Sequence, residues 1–73
     1  MWRGLIVVCH LVTPTHECTP EGNYVETLRP PSKFYRSLTE CQLESMFFAA
    51  DNTVKNTYVK VYCTPITKHE NIG

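Results

Sequence analysis

The chemistry available to this chain of 73 residues rests on four cysteines, Cys9, Cys18, Cys41 and Cys63, and three histidines, His10, His16 and His69. Thiols can pair as disulfides, ligate a soft metal ion, or act as nucleophiles beside a base. An even number of cysteines in so short a chain points first to two bridges, with three connectivities open. Each bridge would contribute about 2 to 4 kcal/mol, comparable to what a core of this size leaves after chain entropy. Cys9-His10 and His16-x-Cys18 also place four soft ligands within ten residues, so a metal site on Cys9, His16 and Cys18 is the alternative. That spacing is not a recognised ligand pattern. Cys9 and His10 would point to opposite faces of a strand, whereas strong zinc signatures pair cysteines two residues apart on a knuckle. The preferred reading therefore carries no metal and no cofactor.

A catalytic Cys–His pair is disfavoured, because 73 residues with one helix offer little concave surface to exclude water. The chain has no C-x-x-C, no glycine-rich phosphate loop and no paired carboxylates in a plausible frame. No catalytic residue is assigned, and the chain is read as non-enzymatic. Seven basic and seven acidic residues cancel, without a run of either sign, which excludes the usual electrostatic footprint for nucleic acid or an acidic membrane surface. Hydrophobic residues make up 42% of the chain, enough for a globular fold. At this size folding buries only about 60% of the unfolded surface, so the core is thin. Leu5 to Cys9 is too short for a signal-peptide core and lacks a small-residue cleavage site after it. No stretch is long enough to span a membrane.

The elements that must position these residues are legible in part. Leu5, Ile6, Val7, Val8 and Cys9 form an apolar run too short for a buried helix, which predicts a central strand within Met1 to Val12, covered on both faces. Thr13-Pro14 turns it. If that turn is tight, Cys9 falls opposite Cys18 across a hairpin, a register that permits a bridge. Thr19 to Gly22 is a second turn signal, followed by a mixed-polarity edge strand over Asn23 to Arg29 that Pro30-Pro31 stops. Tyr58 to Ile66 alternates Val59, Val61 and Cys63 against Tyr58, Lys60 and Tyr62, the pattern of a half-buried strand. The domain is placed at 1–66, with 67–73 as a polar tail carrying a solvated His69.

The clearest local signal is S-L-T-E at Ser37 to Glu40, a capping box that starts a helix running to about Asn52. Phe34 or Arg36 would staple its first turn, and Asn52 or Asn56 would take the left-handed conformation that closes it. Leu38, Cys41, Ser45, Phe48 and Ala49 share one face. Leu43, Met46, Phe47 and Ala50 fall on nearly the opposite side, leaving Glu40, Glu44 and Asp51 a narrow polar stripe. A sheet curling around the helix, or loops carrying Trp2 or Phe34, would bury that second face; otherwise it is a partner surface, for a protein partner or a second copy, which Tyr58 and Tyr62 would extend.

The Trp2 strand, F-Y-R-S-L-T-E-C at Phe34 to Cys41 and V-Y-C-T-P at Val61 to Pro65 together resemble small cysteine-containing proteins of phages and proteobacteria that have no assigned biochemical role. The resemblance implies an α+β fold with the helix cysteine near the last-strand cysteine, hence a Cys41–Cys63 bridge, with Cys9–Cys18 as the second in an oxidising setting. The expectation is a small α+β domain, three or four antiparallel strands with one helix packed across them. Its expected role is that of a phage-encoded interaction protein, a virion accessory such as a capsid decoration subunit or a host-directed binder, and the setting this implies is a virion or a host cytoplasm.

Overall fold

An apolar run such as Leu5 to Cys9 needs cover on both faces, and the computed structural model, which describes residues 1–52 and 55–66, supplies it. Strand β1 (Trp2–His10) is the centre of a three-stranded antiparallel sheet of order β2-β1-β3, flanked by β2 (Glu26–Leu28) and β3 (Thr57–Pro65). Gly4, Ile6, Val7, Val8 and Cys9 are all buried. Helix α1 (Leu38–Asp51) covers one face, where Ala49 and Phe48 pack on Ile6, Val8, Leu28, Val59 and Val61. The fold is α+β, with three strands and one α-helix among the described residues. The expected tail, 67–73, and His69 within it lie outside the described residues.

The helix starts where its sequence puts it, with one of the two capping-box bonds in place: the Glu40 amide donates to Ser37 Oγ at 3.1 Å. Cys41, Ser45 and Ala49, one turn apart, are its fully buried stripe, with Phe48 half-buried beside them, whereas Leu38 is 39% exposed. At its end the Asn52 side chain donates to the Phe48 carbonyl and its backbone N–H to the Ala49 carbonyl, satisfying groups the helix leaves unpaired. The left-handed residue is Asn56, at φ 64°, just before β3. The lead-in is anchored by neither Phe34 nor Arg36. Tyr35 between them is buried and exchanges two backbone hydrogen bonds with Trp2, each 2.8 Å, which ties the start of the helix to the start of the sheet.

The hairpin expected between Cys9 and Cys18 does not form, although the bridge does. β1 is paired along its whole length with β3, from Trp2↔Pro65 to His10↔Thr57, and with β2 at Ile6 to Val8, so no edge remains for a returning strand beside Cys9. A tight turn from His10 to Thr13 sends the chain over the other face of the sheet instead, into a short 3-10 turn at Thr15–Glu17. Cys18 then packs against Val7, Cys9, Leu5, Tyr58 and Tyr62. β2 is shorter than the predicted Asn23 to Arg29: it is regular only over Glu26–Leu28, Val25 adds a single N–H bond to the Val8 carbonyl, and the two prolines end it.

Three side chains of β3 hold this crossing segment by its carbonyls. The Tyr58 hydroxyl donates to Thr13 O at 2.7 Å, Lys60 Nζ to Thr15 O at 2.9 Å, and the Tyr62 hydroxyl to Cys18 O at 2.9 Å. Both tyrosine bonds are partly buried, so Tyr58→Phe and Tyr62→Phe should each lower the unfolding free energy by about 1 kcal/mol. Denaturant midpoints measure this. An unchanged midpoint in both variants would mean that the Cys9–Cys18 bridge alone holds the segment.

Candidate functional site

Leu43, Met46 and Phe47 project from the side of α1 away from the sheet and are 50%, 58% and 67% exposed, with Ala50 exposed among them. The sheet cannot reach them. It is only three strands wide, and its contact with the helix is used up on the Cys41, Ser45 and Ala49 stripe. Glu40, Glu44 and Asp51 border this face beside Phe47 by helical periodicity, and the helix carries no lysine or arginine. Apart from Leu38 at the first turn of α1, the other large exposed apolar residues, such as Leu11 and Val12 at the first turn of the chain, sit singly or in pairs outside the helix and strands. A lone exposed apolar side chain is ordinary; three large ones on one helix face are not.

Tyr58 and Tyr62 do not extend this surface. Their register partners, Cys9 and Leu5, lie on the sheet face opposite the helix, and their hydroxyls are engaged with the crossing segment. The same alternation that placed them together also placed them away from Phe47.

All four thiols are consumed. Cys9–Cys18 links β1 to the crossing segment with Cα atoms 6.0 Å apart, and Cys41–Cys63 links α1 to β3 at 6.3 Å. The Cys9, His16, Cys18 metal set is therefore not assembled: both sulfurs are bonded to each other, and His16 lies open to solvent, with Nε2 3.6 Å from a Glu17 carboxylate oxygen. Where α1 crosses β1 the approach is close. A Cβ built on Gly4 would stand 2.7 Å from Ser45 Oγ, 3.0 Å from Pro30 Cγ and 3.4 Å from Cys41 Sγ. Ser45 Oγ is fully buried and makes no hydrogen bond among the described residues.

Sequence reading did not find a second feature, a cleft of about 290 Å³ between β1 and residues 29–34, walled by Arg3, Arg29, Lys33, Pro30 and Phe34. Its cations are far apart in the chain, so no charge run announces them. No helix among the described residues is long and apolar enough to cross a membrane. No protein-family model matches this chain, and no curated protein or solved structure is detectably similar to it.

Proposed function

We propose that this chain is a non-enzymatic interaction protein whose outer helix face, Leu43, Met46, Phe47 and Ala50, holds a protein partner that is apolar at its centre and cationic at its rim. The observation that carries this reading is the exposure of three large apolar side chains on one face of a helix whose other face already has the sheet as cover. Methionine and aromatic residues are enriched at interface centres, where they fill pockets on the partner. The charges select the partner. With Glu40, Glu44 and Asp51 on one border and no cation on the helix, two copies meeting face to face would bring like charges together, and an anionic lipid surface would be repelled. A lysine- or arginine-rimmed surface is complementary.

Two disulfides in a domain this small favour an oxidising setting, a finished virion or the cell exterior, over a host cytoplasm. A phage-encoded virion accessory, such as a capsid decoration subunit, and a host-directed binder acting outside the cytoplasm both fit that setting. The test is a titration of the disulfide-intact protein with an amphipathic helical peptide of leucine and lysine, read by side-chain resonances of Leu43, Met46 and Phe47. Binding should saturate, weaken with salt and disappear in Phe47→Glu, and a glutamate-rich counterpart should not bind. Absence of binding, or binding that Phe47→Glu leaves intact, would overturn the assignment. A dimer abolished by the same substitution would assign the face to a second copy instead.

A further inference from the structure

We infer that the cleft between β1 and residues 29–34 is a binding site for a small organic anion, a phosphate or carboxylate carried on a flat apolar body. It is distinct from the helix face and does not depend on it. Three of the seven cationic residues of a chain with zero net charge wall this one cleft, Arg3, Arg29 and Lys33, and no acidic residue lines it. Among the described residues none of the three lies within ion-pair distance of a carboxylate, and the recorded ion pair is His16 with Glu17, elsewhere. Grouped cations without counter-charges repel one another, so the arrangement works against stability unless an anion completes it. Arginine forks match phosphate and carboxylate oxygens two at a time.

The backbone explains why a cleft exists here. Even-numbered residues of β1 turn their amides and carbonyls toward the β2 side, as the reciprocal Trp2–Tyr35 bonds and the Val25 N–H to Val8 carbonyl bond show. Continuing the Ile6↔Leu28 register by two residues sets Pro30 opposite Gly4, and proline has no N–H to give. The chain therefore leaves the ladder after Leu28 and rejoins it at Tyr35, opening a gap into which Gly4 directs its backbone. Pro30 and the exposed Phe34 supply an apolar wall beside the cations. The volume, about 290 Å³, lies at the lower end of the roughly 300–1,000 Å³ typical of ligand pockets, which fits a single ring with one anionic group. An adjoining cleft of about 480 Å³ shares Arg3 and Arg29 but includes Glu21, so the anion belongs in the first.

The experiment is amide-resonance titration of the oxidised protein with phenyl phosphate and with benzoate, controlled by inorganic phosphate and by benzyl alcohol. At least one of the two ring-bearing anions should give saturable shifts confined to Gly4 and residues 29–34, at least tenfold tighter than either control, and the tighter of the two names the head group. Arg3→Gln and Arg29→Gln should each weaken binding about tenfold with an unchanged melting temperature, both side chains being exposed, while Phe47→Glu leaves it intact. Lys33→Gln serves as the third cation variant should either arginine prove needed for folding. No saturable shift, equal binding of the controls, or affinity undiminished in the cation variants would overturn the inference.

Discussion

Reduction of the two disulfides is expected to unfold this domain at room temperature. The bridges close loops with separations of 9 and 22 residues, and the chain-entropy relation assigns them about 2.6 and about 3.4 kcal/mol. Their sum, about 6 kcal/mol, is of the order of the entire stability of a 73-residue domain at roughly 0.05 to 0.15 kcal/mol per residue. The placement reinforces the count. One bridge ties α1 to β3 and the other ties the crossing segment to β1, so each clamps one layer to the sheet. Both layers should loosen together. Trp2 fluorescence and far-ultraviolet dichroism, with and without a phosphine reductant, measure the effect: a cooperative melt before reduction, none after it, and four titratable thiols only in the reduced sample. The pair Cys41→Ala with Cys63→Ala should cost more than Cys9→Ala with Cys18→Ala, because its loop is longer. A melt indifferent to reductant would show that the hydrophobic layers suffice alone.

Gly4→Ala is expected to be the most damaging single methyl group that can be added to the sheet. Its Cβ would enter the space between Ser45 Oγ at 2.7 Å and Pro30 Cγ at 3.0 Å, where α1 passes over β1. Overpacking of this kind costs about 1 to 3 kcal/mol. Ser45→Ala should act in the opposite sense, because it removes a buried hydroxyl that makes no hydrogen bond and introduces the best helix former, a gain of about 1 kcal/mol. Since Ser45 Oγ is the nearest obstacle to the new methyl group, the double variant should lose much less than Gly4→Ala alone, with a coupling of about 1 kcal/mol. Denaturant unfolding of the four proteins gives the cycle. Additive effects would identify the Pro30 ring, and not the serine, as the obstacle.

How much of this was legible follows from what kind of signal each feature leaves. The Leu5 to Cys9 run and the Ser37 to Glu40 cap are local, and both elements stand where their residues place them. Alternation in β3 correctly grouped Tyr58 with Tyr62 and Val59 with Val61. It could not say that the tyrosine face is covered, because the covering carbonyls, Thr13 and Cys18, lie some forty-five positions away. Cys9 and Cys18 meet as their spacing allowed, by a different route, since both edges of β1 near Cys9 were already taken. The staple rule points to Phe34 or Arg36 because it counts positions along the helix, whereas the anchor here is a backbone bridge from Tyr35 to Trp2. The exposure of Phe47 required knowing how far three strands extend. The Arg3, Arg29 and Lys33 cleft required knowing where the ladder breaks at Pro30.

The claim that the outer side of α1 is a surface kept for a partner is tested most directly by the thermal unfolding of the oxidised Phe47→Glu variant. Phe47 is 67% exposed, so a carboxylate there remains hydrated, and substitutions at such positions usually change stability by no more than about 0.5 kcal/mol. That corresponds to a melting temperature within about 4 °C of the parent for a domain of this size. A drop of tens of degrees would mean that the charge had been forced into the interior, that Phe47 belongs to the core, and that no free helix face exists to hold a partner.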